Sequence, residues 1–132
     1  MIGIVVVAHG GLAAEYVRAM EHVVGSQDGV QTVQISADYD RSSKQAEINA
    51  AVIEVDMGTG VVVITDLYGG SPSNLCMMAC GTEGKRRVIY GANLPLLVKL
   101  AKARGKSLDK AVELALKAGH KYMDAVPVQT AD

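Results

Sequence analysis

Two runs of the chain, Ile2 to Ala8 (IGIVVVA) and Gly60 to Thr65 (GVVVIT), are apolar or β-branched at every position instead of every second one. A strand with one face in water alternates. One that is apolar throughout must be covered on both faces, and that is the signature of a parallel sheet layered between helices. Both runs end in the same way, in a polar residue and glycines: His9, Gly10 and Gly11 after the first, then Asp66 followed by Gly69 and Gly70 after the second. This combination constrains the fold more than any other feature of the sequence.

The segments between fit the same plan. Leu12 to Val24 carries apolar residues at Leu12, Tyr16, Ala19, Met20 and Val23, a helical spacing, with Gly25 as its stop. Val30 to Ile35 reads as a second, weaker strand, followed by the polar ADYDRSSKQ loop and a helix from about Ser43 to Val55. After the third strand, Ser71 and Pro72 suit an N-cap and the first helical position of a helix that includes Leu75 to Ala79. Lys85 to Tyr90 is a fourth strand. Asn93, Leu94 and Pro95 open a helix running to about Ala103, with Asn93 as its N-cap, and Leu108 to Ala118 forms another that ends at Gly119. The short apolar stretch Tyr122 to Val126 reads as a late strand before the polar end. Strands alternating with helices predict an α/β fold, a flavodoxin-like open parallel sheet in the order 2-1-3-4 with helices on both faces. The 132 residues fit one domain spanning positions 1–132.

Composition narrows the partners. Thirteen basic and fourteen acidic residues leave a formal net charge of -1, so no bulk field draws the protein to nucleic acid or an anionic membrane. No apolar run approaches the roughly 20 residues of a membrane span, and the N-terminal run lacks the basic flank and cleavage pattern of a signal peptide. A cytoplasmic location is expected. Cys76 and Cys80, in CMMAC, share one face of a helix and read as reduced core thiols, not as a redox or metal pair. No metal and no cofactor is expected.

In an open parallel sheet, reactive groups gather beyond the carboxyl ends of the strands where strand order reverses, here between the first and third strands. His9 ends the first and Asp66 the third. A carboxylate that accepts the Nδ1 proton of an imidazole fixes its tautomer, leaves Nε2 as a nucleophile and stabilises the cation formed on attack. Gly10 and Gly11 open a helix whose unpaired N–H groups would face a phosphoryl group on His9, and Gly69, Gly70 and Ser71 form a second donor-rich turn. Taken singly, a histidine at a strand end is usually a solvated or packed residue, an aspartate there usually caps a turn, and Ser71 is first of all a helix cap. The coincidence of both polar residues at neighbouring strand ends, each with its glycine turn, favours chemistry. His22 and His120 lack such a setting and read as solvated. Tyr68 reads as packing.

The opening IGIVVVAHGGLA, the segment VVVITDLYGGSPSNLC and the later GANLPLLVKLA resemble the corresponding segments of mannose-family IIA components of sugar phosphotransferase systems. The pattern of Asp, paired glycines, Ser-Pro and Asn at fixed offsets is the specific part. The resemblance implies a phosphotransferase in which His9 is phosphorylated at Nε2 by the carrier HPr and passes the group to a IIB component, with Asp66 as orienting carboxylate. It also implies a homodimer in which a C-terminal strand crosses to the partner's sheet as an antiparallel edge strand. Ser73 stands where many members carry Phe, which predicts a thinner apolar docking patch. With no IIB domain following, the acceptor is expected to be a separate protein, and contact with a membrane permease is expected only through it.

Three other functions fit parts of the pattern. A regulatory phospho-switch would use the same His9 without serving a permease, and the phosphocarrier subunit of a dihydroxyacetone kinase shares the fold. A flavodoxin-like nucleotide or flavin holder is disfavoured by the lack of G-x-G-x-x-G and of an aromatic pair to stack a ring. Asp38, Arg41 and Lys44, at the active end of the sheet, are the expected rim for docking HPr.

Overall fold

The computed structural model describes residues 1–82 and 84–129. Four strands, β1 (Gly3–His9), β2 (Val30–Ile35), β3 (Val61–Thr65) and β4 (Arg86–Tyr90), form an all-parallel sheet in the order β2-β1-β3-β4. The pairing aligns Val7 of β1 with Val33 of β2 and Thr65 of β3, and Thr65 with Tyr90 of β4. The helices between them are α1 (Leu12–Val24), α2 (Arg41–Val55), α3 (Gly70–Cys80), α4 (Leu94–Lys102) and α5 (Leu108–Lys121). The fold class and the strand order are those expected from the sequence.

Alternation of side chains along β1 and β3 divides the core in two. Ile4, Val6, Val62 and Ile64 pack with Met20, Leu97, Leu100 and Ala111, under α1, α4 and α5. Val5, Val7, Val61 and Val63 pack with Ile48, Val52, Leu75 and Cys76, under α2 and α3. Every residue of β3 is buried, which is why that strand shows no polar alternation in the sequence. Cys76 and Cys80 are free and buried, and burial, with smaller contributions from Cys80 and Asp66, pushes the Cys76 thiol up to about 12. Burial raises the Cys80 thiol as well, against a smaller opposing effect of Arg86.

Several boundaries differ from the sequence expectation, each for a local reason. Helix α2 starts at Arg41, not Ser43, because the Asp40 carboxylate accepts the Ser43 N–H at 2.8 Å and caps it. Helix α3 starts at Gly70, so Ser71 is not its N-cap but lies in its first turn and caps no backbone N–H. Asn93 does cap α4, taking the Leu96 N–H at 3.0 Å, and its amide donates to the Gly119 carbonyl at 2.9 Å. Gly119 does not end α5. It is buried inside the helix, where a Cβ would stand 3.2 Å from the Leu96 Cβ, so this glycine serves close approach of α4 and α5.

The expected late strand over Tyr122 to Val126 is absent: Tyr122 is a turn and 123–129 have neither helix nor strand. A strand exists only against a partner edge, and in the single chain this segment lies against none. Among the described residues no helix is long and apolar enough to cross a membrane.

Candidate functional site

β1 and β3 are direct neighbours, so their carboxyl ends deliver His9 and Asp66 to the same crevice. Asp66 is one residue past the end of β3, which frees its backbone from the ladder. Its carboxylate accepts the backbone N–H of His9 at 3.0 Å and faces the ring Nδ1 with both oxygens, at 3.2 Å and 3.0 Å. An ionised carboxylate only accepts, so the proton between them belongs to Nδ1 and the Nε2 lone pair is free. The His9 side chain is 50% exposed and that of Asp66 only 10%. Burial by itself would push the Asp66 carboxyl up, but the hydrogen bonds from the His9 backbone and ring outweigh it and hold its pKa below the ordinary 3.8.

The glycines have a specific task here. Gly10 has φ +58° while its N–H donates to the Ile35 carbonyl at 2.9 Å, so the chain leaves β1 in a left-handed turn that a side chain would strain. Gly69 and Gly70, at φ +88° and +75°, make the corresponding turn after Asp66. In both cases the helix that follows has no side-chain cap, whereas Asp40, Asn93 and Ser107 cap α2, α4 and α5. The N-termini of α1 and α3 therefore keep backbone donors and the positive ends of their dipoles beside the histidine crevice.

Sequence reasoning missed two features of this site. The Arg41 Nη1 donates to the Ser71 Oγ, so α2 reaches across to the first turn of α3. The signal was a basic residue directly after the capping Asp40, at the positive end of a helix. Tyr68 and Tyr90 also stack, with ring centroids 4.4 Å apart and planes at 40°. The expectation that no aromatic pair exists is thus corrected. Distant positions of the sequence meet because β3 and β4 end side by side, but the rings lie against each other with no gap for a third. Tyr68 is packing on one face and exposed on the other.

Leu67 and Tyr68 are 61% and 69% exposed and stand between Asp66 and α3. Ser73 is buried and donates to the Gly70 carbonyl at 3.3 Å, so it adds no exposed surface itself. Of the expected docking rim, Asp38 is exposed. Lys44 instead folds onto the Gln34 carbonyl at 2.7 Å and the Glu47 carboxylate at 2.6 Å. His22 and His120 are exposed helix residues.

Fold and site together define an open parallel α/β protein with a histidine–carboxylate pair at its topological switch point. The family described as "PTS system fructose IIA component" matches residues 3–116. The chain belongs to this family, and within it is a mannose-family IIA component of the sugar phosphotransferase system. It is 30% identical to the PTS system mannose-specific EIIAB component of Escherichia coli (strain K12), a match covering 98% of this chain and 42% of that protein. The chain thus spans about two fifths of that relative's length. Among solved structures, the mannose/sorbose specific IIA subunit of the phosphotransferase system from Enterococcus faecalis superposes with a TM-score of 0.85 at 25% identity, covering 98% of each chain. The PTS IIA protein associated with the fucose utilization operon from Streptococcus pneumoniae gives 0.77 at 29% identity, covering 88% of this chain and 89% of that one.

Proposed function

We propose that the protein is a phosphocarrier that takes a phosphoryl group from HPr on His9 Nε2 and hands it to a IIB component. The observation that carries this reading is the hold of Asp66 on Nδ1 and on the backbone N–H of the same histidine. The ring is fixed in one tautomer and its half-exposed side chain is accessible to a protein donor.

In the forward step the Nε2 lone pair forms a bond to phosphorus while the bond from phosphorus to the donor atom breaks, its electron pair returning to the donor. The imidazole becomes cationic, and Asp66 stabilises it through the Nδ1 proton. The phosphoryl oxygens are met by the uncapped N–H groups at the starts of α1 and α3, beside Gly11, Gly69 and Gly70, and by the Ser71 hydroxyl, while Gly10, whose own N–H is held by the Ile35 carbonyl, shapes the turn. The return step reverses these movements toward IIB. The nucleophile, the carboxylate that steadies the imidazolium and the donors all belong to this chain. Leu67 and Tyr68 supply apolar contact for either partner, and release stays fast because the patch is small.

Incubation with phosphoenolpyruvate, enzyme I and HPr tests the reading. Wild-type protein should take up one acid-labile, alkali-stable phosphoryl group and His9→Ala none. Label on His9→Ala, or label that survives acid, would overturn it. Transfer onward to a IIB protein separates a sugar carrier from a phospho-switch, which would hold its label.

A further inference from the structure

We infer that Arg41 is a positioning residue for phosphoryl transfer, acting through Ser71. This rests on the phosphocarrier reading above and adds a residue from α2 that neither the glycine turns nor the His9–Asp66 pair includes.

The geometry gives the argument. The Arg41 guanidinium donates to the Ser71 Oγ. A serine hydroxyl has one proton and two lone pairs, and with one lone pair taken by a cationic donor its own O–H is turned outward as a donor, polarised by the guanidinium. Strand alternation places His9 on the side of β1 that carries Val5 and Val7, the side covered by α2 and α3, which supply Arg41 and Ser71. An anion on His9 thus forms on the face where this oriented hydroxyl stands.

Arg41 itself is placed against local preference. It opens α2 at the positive end of the helix dipole, and no acidic residue lies in that first turn. Among the described residues no carboxylate forms a salt bridge with it, whereas three of the other four arginines, Arg18, Arg86 and Arg87, each have one. A cation left without an anion and held by one serine is the arrangement expected when the anion arrives with the reaction. The phosphoryl group brings that charge. Arg41 was expected on sequence grounds to serve the docking rim. The two roles separate experimentally, because docking matters only for a protein donor.

The test is labelling of His9 by phosphoramidate, a small donor with no docking surface, compared with labelling by phospho-HPr. The variants are Arg41→Met, Ser71→Ala and the double substitution, with thermal unfolding as a check that each folds. Arg41→Met should slow labelling by both donors about tenfold, the scale of one charge-assisted hydrogen bond. In the Ser71→Ala background the same change should add little, because the route through the hydroxyl is already gone. The phosphorus-31 resonance of the phosphohistidine should move in Arg41→Met and Ser71→Ala alike, a response that a merely structural role would not give. Full additivity of the two substitutions, or slowing with phospho-HPr alone, would overturn the inference while leaving the phosphocarrier reading intact. Loss of that reading would show instead as label on His9→Ala.

Discussion

Asp66 does two jobs on one histidine, holding its ring and anchoring its backbone, and both depend on the carboxylate being ionised. Asp66→Asn keeps the shape, but it cannot stabilise the imidazolium and can hold the other tautomer. Phosphorylation of His9 should slow about a hundredfold or more, roughly 3 kcal/mol of barrier, measured as the initial rate of labelling by phospho-HPr. The same bonds set a pH dependence. A carboxyl whose pKa is lowered on folding contributes stability that is fully present above its ordinary value and is lost as pH falls through the folded value. For Asp66 that loss lies below pH 3.8. Carbon-13 titration of the Asp66 carboxyl should therefore show a midpoint below 3.8, and a midpoint at or above it would contradict the geometry. Both residues were legible in the sequence because each ends an unmistakable buried strand. Arg41 was legible only as a charge, since its contact with Ser71 joins two helices that no local pattern relates.

Among the elements, the strands were easiest to read and the helix starts hardest. β1 and β3 declare themselves by continuous burial. The start of α3 was misplaced because Ser-Pro is a strong starting signal in any context, and here paired glycines with positive φ turn the chain two residues earlier. Gly119 was read as a stop because glycine usually is one, yet its contact with Leu96 makes it a packing residue. Asn93 connects these two helices, capping α4 while its amide holds the Gly119 carbonyl of α5. Asn93→Ala removes both bonds and should destabilise the protein by about 1–3 kcal/mol, read as a lowered urea midpoint with unchanged slope. No change in midpoint would mean that water replaces both contacts.

For the whole molecule the open question is the far edge of the sheet. β4 is an edge strand, flanked by a groove of about 370 Å³ lined by Val88, Tyr90, Val112 and Leu116. The tail beyond α5 carries Tyr122, Met123, Val126 and Val128, all exposed in the single chain. A bare strand edge and an unpaired apolar tail are both liabilities, and exchange of tails between two copies would remove both at once. Sedimentation at micromolar concentration should give two chains per particle, and truncation after Gly119 should give monomers or aggregates. A stable monomer of the intact chain would refute the pairing.

The sequence by itself determined the parallel sheet, its order, and the meeting of His9 with Asp66, because a strand buried on both faces and a right-handed crossover leave few alternatives. It also determined the glycine turns, whose left-handed backbone few other residues tolerate. Only the tertiary structure decided what lies between elements: Arg41 on Ser71, Tyr68 on Tyr90, Gly119 against Leu96, and the burial of Ser73. These contacts join residues far apart in the chain. Their partners are fixed by how helices seat on the sheet, a property of packing that no periodicity along one segment encodes.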